Sequence, residues 1–171
     1  MTNLDVADLD RRLRRIEDRA EIRELAHRYC RHVDDSNWTE LRKLFADDAT
    51  VGDVEGGDAV VEMLRAIRGG YGRTIHTAYG LVLEHDDDDH ARGYVPSSAQ
   101  LDIGGQFVLS AIRYFDTYVR ADGRWLFARR DLRFVYALPW PEAHRALVDD
   151  LPVRWPGSVP APADDLSGGP R

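Results

Sequence analysis

The stretch that decides the fold reads RYFDTYVRADGRW and spans residues 113–125. It begins with aromatic and β-branched residues, passes through a turn at 121–123 and leads into a second run of the same kind. Gly123 supplies the positive φ that a tight hairpin turn requires. The pattern therefore predicts two long antiparallel strands, over residues 107–120 and 124–136, joined by this turn.

Two further strands are predicted immediately before this hairpin. Residues 74–84 and 91–103 are rich in β-formers and are separated by an acidic run at 86–89, which is typical of a solvated turn. Pro96 lies inside the second run and predicts a bulge or an edge position there. The glycine pair at 104–105 indicates a hairpin that leads into the next strand. The pattern therefore extends the hairpin into an antiparallel meander.

The part of the chain that precedes the meander is predicted to be largely helical. Apolar residues recur at spacings of three and four through residues 1–37, which predicts an amphipathic helix in one or two pieces. A short helix is predicted over 38–46, a strand over 49–54 and a third helix over 59–68, with Asp58 as its N-cap. Helices followed by an antiparallel meander indicate the α+β class.

Length and charge limit what the chain can be. Its 171 residues fit one domain, which we assign to 1–151, followed by a tail rich in proline and glycine at 152–171. The tail is expected to wrap the surface or to be disordered. The net charge of −7 disfavours a nucleic-acid partner. The sequence contains neither a run of about 18 apolar residues nor a secretory signal pattern, so we expect a cytoplasmic protein with no membrane partner.

Metal and cofactor motifs are scarce. The single cysteine, Cys30, excludes an intrachain disulfide and a four-cysteine zinc site. The six histidines form no H-x-H or H-E-x-x-H pair, and the sequence has no G-x-G-x-x-G after a strand and no G-x-x-x-x-G-K. It also lacks the G-x-S-x-G motif that marks a serine nucleophile in hydrolases. We therefore expect no metal and no cofactor.

Four segments, in their order and spacing, resemble the SnoaL-like branch of the nuclear-transport-factor-2-like fold over roughly residues 10–138. They read IRELAHRYCRHVD (22–34), WTELRKLFADDA (38–49), TIHT (74–77) and RYFDTYVRADGRW (113–125). The resemblance implies a cone-shaped, curved antiparallel sheet with about three N-terminal helices packed on its concave face. Within the branch, the sequence looks most like the scytalone dehydratase and bile-acid dehydratase group, which also includes a lindane dehydrochlorinase.

The resemblance implies a catalytic pair of Asp34 and His76, with Tyr29 matching a pocket tyrosine of the bile-acid enzymes. The residues themselves are compatible with this. Helical projection places Asp34 at the edge of the apolar face, and strand alternation places His76 on a face with small neighbours. The structural alternatives are that Asp34 only ends the helix, that His76 is a hydrogen-bonded core residue and that Tyr29 is a core aromatic residue.

Five further residues are candidates for substrate binding. Arg130 interrupts an apolar row of the last strand, where it could bind an anion or form a salt bridge to a helix acid. Tyr94, Ser98 and Gln100 lie on the strand that could line the pocket. Tyr71 lies in a glycine-rich segment and could cover the mouth of the cavity.

The predicted function is a cofactor-independent dehydratase or a related eliminating lyase. A histidine can exchange protons at neutral pH, and a carboxylate on one ring nitrogen fixes the tautomer and leaves the other nitrogen as a base. His76 would then abstract a proton next to a carbonyl and return it to a leaving hydroxyl, while Tyr29 would hydrogen-bond an oxygen of the substrate.

The predicted substrate is an apolar small molecule, for example a polycyclic one such as a steroid or a polyketide. Two alternatives remain open: an isomerase or polyketide-type cyclase that uses the same pocket, and a non-catalytic small-molecule binding module. The resemblance also implies a homo-oligomer, either a trimer or a dimer.

Overall fold

A computed structural model describes residues 5–165 of the chain. Its three α-helices lie in the N-terminal half. They are α1 (Val6–Asp34), α2 (Trp38–Arg42) and α3 (Gly57–Gly69). The first is one unbroken helix of 29 residues, and Asp5 caps it by accepting a hydrogen bond from a backbone N–H of the first turn. Within the described residues, none of these helices has the length and apolar character needed to cross a membrane.

Over residues 5–165, seven strands form one curved sheet that does not close into a barrel. Their spatial order is β2-β1-β7-β6-β5-β3, with β4 paired to β5 as well. All pairs are antiparallel except that of β1 with β7. The predicted α+β class is confirmed. The strands are β1 (Phe45–Val51), β2 (Val54–Glu55), β3 (Tyr71–Ala78), β4 (Val82–His85), β5 (His90–Ile103), β6 (Gln106–Ala121) and β7 (Arg124–Pro139).

The second helix is shorter than predicted, and the first strand begins earlier. A helix was expected over 38–46, but α2 ends at Arg42 and β1 begins at Phe45. The cause is pairing with β7, because the Phe127 N–H donates to the Leu44 carbonyl at 2.8 Å and draws this segment into the sheet. A contact distant in sequence therefore overrides the local helical pattern.

The third helix begins at Gly57 rather than at Ala59. Its N-cap position is Gly56, whose φ of 98° suits glycine. The Asp58 side chain, expected as the cap, accepts a hydrogen bond from Arg42 Nε at 2.8 Å instead. This contact ties α3 to the end of α2.

The strand predicted over 74–84 is in fact two strands, and the reason lies in β5. The last residue of β3, Ala78, pairs with Ser97 of β5, and the first residue of β4, Val82, pairs with Tyr94. The break at residues 79–81 therefore lies beside Pro96. Proline offers no N–H to a neighbouring strand. β5 itself keeps continuous register with β6 through this position, so the proline marks a break in the edge partner and not a bulge in its own strand.

A bulge in β7 decides which of its residues face inward. Ala128 has no partner in the register with β6, so the alternation of the strand reverses there. Simple alternation from Arg130 back along the strand predicts that Leu126 faces the core. The structure instead buries Trp125 and Phe127, which are 2% and 0% exposed.

The chain beyond β7 folds back onto the sheet. After a short 3-10 helix, Val153 forms an isolated bridge with β7, and Trp155 packs edge-on against Phe134 with ring centroids 5.1 Å apart. The predicted tail spans 152–171, and its last part, 166–171, lies outside the described residues. The described part of the segment contributes to the wall of the cavity that the helices and the sheet enclose.

Candidate active site

Asp34 is the last residue of α1, and its carboxylate joins the helix to β3. Oδ1 accepts a hydrogen bond from Thr74 Oγ1 at 2.7 Å and lies 2.6 Å from His76 Nδ1. Oδ2 accepts a hydrogen bond from the His76 backbone N–H at 2.8 Å. Because one strand supplies all three donors, the position of the carboxylate is fixed relative to the imidazole.

The environment of Asp34 keeps its side chain ionised. Burial alone would raise the pKa of the carboxyl, but the hydrogen bonds from His76 and Thr74 outweigh burial and lower the pKa below its ordinary value of 3.8. An ionised carboxylate can only accept hydrogen bonds, so the network assigns the shared proton to Nδ1 of His76. The lone pair of the neutral ring is then on Nε2.

His76 lines a cavity of about 640 Å³ between the helices and the concave face of the sheet. Its walls are mostly apolar. Since Nδ1 is occupied by Asp34, Nε2 is the ring nitrogen available to a molecule in the cavity. Within residues 5–165, no group of three or more acidic, cysteine or histidine side chains is arranged to hold a metal ion. Apolar residues that line the cavity include Val33, Met63, Leu64, Ala99, Leu101, Ile112, Leu132 and Phe134.

Two tyrosines named in the sequence analysis, Tyr29 and Tyr71, also line this cavity. Tyr29 projects from α1 and is 3% exposed, and burial raises the pKa of its hydroxyl to about 12. Tyr71 begins β3 and is half-buried, and burial raises its pKa as well. Both hydroxyls are therefore protonated at neutral pH and can donate hydrogen bonds.

Arg130 lies in the core and is absent from the residues that line the cavity. Its guanidinium donates from Nε and Nη2 to the two carboxylate oxygens of Asp116, at 2.9 and 2.8 Å. The rings of Tyr29, Tyr114 and Phe127 surround it, with centroids 4.1–4.2 Å from its central carbon. The expected roles in anion binding or in a salt bridge to a helix acid are corrected, because the partner is an acid of strand β6.

Tyr94, Ser98 and Gln100 do not line the cavity either. In β5 the odd-numbered residues are buried on the concave side, so Ala99 and Leu101 form the wall of the cavity. The even-numbered residues point to the opposite face. The prediction that these three polar side chains form the pocket is therefore corrected by the phase of the strand.

The residues of the cavity wall that were not anticipated include Arg68, Ser110 and Trp155. Ser110 is 1% exposed, and its Oγ lacks a hydrogen-bond partner among the described residues. A hydroxyl within the inward row of a predicted strand was the available signal for Ser110. Arg68, at the end of an amphipathic helix, gave a weaker signal. Trp155 gave none, because its position depends on the return of the chain to the sheet.

Solved structures with this fold include several enzymes by name. A protein provisionally named scytalone dehydratase from Novosphingobium aromaticivorans DSM 12444 is 24% identical, with a TM-score of 0.69 over 74% of this chain and 90% of that one. The hexachlorocyclohexane dehydrochlorinase LinA type 2 is 27% identical, with a TM-score of 0.69 over 74% and 91%. LinA type 3 from Novosphingobium barchaimii LL02 is 27% identical, with a TM-score of 0.68 over 74% and 92%.

The family assignment rests on sequence as well as on structure. No curated protein is significantly similar to the chain in sequence. The family model for the SnoaL-like domain, however, matches residues 14–131, which span most of α1, all of α2 and α3, and most of the sheet. The resemblance seen in the four sequence segments is thereby confirmed. The chain belongs to the SnoaL-like domain family and has the nuclear-transport-factor-2-like fold.

Proposed function

We propose that the protein is a cofactor-independent eliminating lyase of the dehydratase type. The observation that carries this proposal is the 2.6 Å contact between Asp34 Oδ1 and His76 Nδ1 at the wall of a mostly apolar cavity. A charged carboxylate on one ring nitrogen and a cavity beside the ring are what a histidine needs to act as a general base. The similarity to proteins named as dehydrochlorinases supports elimination as the reaction.

In the proposed reaction, His76 moves one proton. Nε2 takes a proton from the carbon next to a substrate carbonyl, and the Asp34 carboxylate stabilises the imidazolium that forms. The electron pair of the broken C–H bond becomes the new carbon–carbon double bond as the hydroxyl on the next carbon departs. The imidazolium returns its proton to that hydroxyl, which leaves as water, so His76 ends neutral and no other reactant is consumed.

Tyr29 is proposed to polarise the substrate carbonyl. Its hydroxyl stays protonated because burial raises its pKa to about 12, so it can donate a hydrogen bond to the carbonyl oxygen. This donation would favour the negative charge that develops on the oxygen as the proton leaves the neighbouring carbon. Tyr29 and His76 line the same cavity, which supports their action on one molecule.

The size and lining of the cavity support an apolar substrate with more than one ring. A volume of about 640 Å³ lies within the range of about 300–1,000 Å³ that is usual for sites of drug-sized ligands. Aliphatic and aromatic side chains form most of the wall. We propose a steroid-like or polyketide-like substrate that bears a hydroxyl on the second carbon from a carbonyl, because this arrangement allows the elimination described above.

The test is turnover of a panel of apolar β-hydroxyketones, followed by mass spectrometry for the loss of one water. We expect His76→Ala to lower kcat by about 10²–10⁴-fold, since that is the usual contribution of a general base. The matched control is His90→Ala. His90 Nδ1 lies 3.0 Å from Asp87, but this pair is exposed on the acidic turn, so the control should keep full activity.

Each other outcome has a distinct meaning. Full activity of a folded His76→Ala variant would contradict the proposal. A product of unchanged mass would replace elimination by isomerisation or cyclisation, because the same proton transfer serves all three reactions. Binding of the panel without any turnover would favour a small-molecule binding module.

A further inference from the structure

Arg68 is a cation on the cavity wall that is held in place but not neutralised. It stands near the end of α3 and lines the same cavity as His76. Its Nη1 donates to the Tyr71 carbonyl at 3.0 Å and its Nη2 donates to the Asp34 carbonyl at 3.4 Å. Its Nε is buried and has no hydrogen-bond partner in the part of the chain that the structure describes. Among residues 5–165, no carboxylate forms an ion pair with Arg68.

These contacts leave both charge and donors available. Backbone carbonyls accept hydrogen bonds but carry no net charge, so the positive charge of the guanidinium remains. A guanidinium has five N–H donors, and the two backbone contacts use two of them. On a mostly apolar wall such a charge is poorly screened and attracts an anion strongly.

The other charged groups that line the cavity are differently placed. Asp131 is already paired, since Arg133 Nη2 lies 2.9 Å from its carboxylate. Asp53 lies on the exposed turn between β1 and β2. Arg68 is therefore the cationic side chain of the lining that has no acid as partner among the described residues.

Arg68 is also tied to the proposed catalytic pair. The backbone carbonyl of Asp34 accepts a hydrogen bond from Arg68, and its carboxylate accepts one from His76. One residue thus positions both the guanidinium and the imidazole at the same cavity. A molecule that presents a C–H bond to His76 could present another of its groups to Arg68.

We propose that Arg68 binds a carboxylate of the substrate, so that the substrate class is an apolar acid. This inference rests on the proposed function for the place of the substrate beside His76, and it adds the charged group that orients the substrate there. A planar guanidinium matches a carboxylate in geometry and forms charge-assisted hydrogen bonds with it. The apolar wall would hold the rest of the molecule.

The test compares two probes of nearly equal shape, 2-naphthoate and 2-naphthamide, by isothermal titration calorimetry at neutral pH and low salt. We expect the wild-type protein to bind the carboxylate about tenfold or more tightly than the amide. Added salt should reduce this preference. Arg68→Gln should abolish the preference and leave the affinity for the amide within about twofold, and Arg68→Lys should retain part of it.

Arg65→Gln is the matched control. Arg65 lies on the same helix but is exposed, pairs with Glu62 and stacks over Trp38, and it does not line the cavity. This variant should keep the wild-type preference.

Equal affinity of the wild-type protein for the two probes, or no binding of naphthoate, would overturn the proposal even if no variant folded. A preference that survives in Arg68→Gln would overturn it too. The proposed function fails separately: His76→Ala should keep the binding preference, so a protein that prefers naphthoate but never eliminates water would contradict the lyase and not the role of Arg68.

Discussion

Two of the acid–base pairs in this fold, Asp34–His76 and Asp116–Arg130, differ in their access to the cavity. Of these two, only Asp34–His76 borders it. Asp34 and His76 are in contact at 2.6 Å, with side chains 18% and 14% exposed. Asp116 and Arg130 are in contact at 2.8 Å, with side chains 0% and 1% exposed. The more deeply buried pair is enclosed by aromatic rings, whereas the other leaves a ring nitrogen beside a cavity. The pair proposed to act in catalysis is therefore distinguished by access to a reactive atom and not by depth of burial.

The largest expected effect comes from Asp34→Asn. An amide in place of the carboxylate removes the negative charge that stabilises the imidazolium and favours the wrong tautomer of His76. We expect kcat to fall by about 10³–10⁴-fold, the scale seen when the acid of a catalytic triad is made neutral. Steady-state kinetics on the substrate found in the panel would measure this loss, and circular dichroism would verify the fold.

The matched control is Asp116→Asn, the same change in the enclosed pair. Its effect should be on stability, because the Asp116 carboxylate is far from water and accepts from Arg130 and from the Tyr118 hydroxyl. Full activity of Asp34→Asn would show that Asp34 only ends the helix, which is the structural alternative for this residue.

The next largest effect is a loss of stability in Arg130→Met. Methionine fills much of the same space but leaves the Asp116 carboxylate buried without its cation. Breaking a buried pair in this way usually costs about 3–5 kcal/mol, which urea denaturation would show as a lower free energy of unfolding.

The double variant Arg130→Met/Asp116→Leu sharpens this comparison. It removes both charges together, so it should recover most of the lost stability. His76→Gln should change the free energy of unfolding by less than about 1 kcal/mol, because its side chain borders an open cavity. Wild-type stability in Arg130→Met would mean that the two pairs do not differ as described.

Local sequence signals were sufficient for most of the fold. The three helices, the meander and the turn at Asp122 and Gly123, with φ values of 50° and 73°, follow from periodicity and turn chemistry. The boundaries that were wrong depend on distant contacts. The early start of β1 depends on β7, and the break after β3 depends on Pro96 in β5. Neither cause can be recognised from the sequence of a single segment.

The residues of the candidate site also fall into two groups: those that local sequence indicates and those whose positions depend on distant contacts. Asp34 and His76 could be named because short segments carry the resemblance that implies them. The helix edge and the strand face that agree with it are also properties of short segments. The face that Gln100 takes in β5 and the enclosure of Arg130 depend on strand phase and on neighbouring rings. The place of Trp155 depends on a segment that lies beyond the family match at residue 131. Contacts between distant segments carried the information that was missing.

The smallest predicted effect concerns how stability depends on pH. The pKa of Asp34 is lower in the folded protein than its ordinary value of 3.8. Burial raises this pKa, but the hydrogen bonds from His76 and Thr74 lower it by more than burial raises it. Its contribution to stability is therefore fully present above about pH 4 and is lost as the pH falls through the folded pKa. Urea denaturation from about pH 6 to pH 3 should show the advantage of wild type over Asp34→Asn shrinking as the pH falls.

Thr74→Val gives the intermediate case, because it removes one of the three hydrogen bonds to the carboxylate and keeps the two from His76. Its loss of unfolding free energy relative to wild type should also shrink at low pH, and the change should be smaller than that of Asp34→Asn. A difference between wild type and Asp34→Asn that stays constant with pH would mean that folding does not favour the ionised carboxylate. The proton would then no longer be assigned to Nδ1 of His76, and the contrast between the open and the enclosed pair would lose its chemical basis.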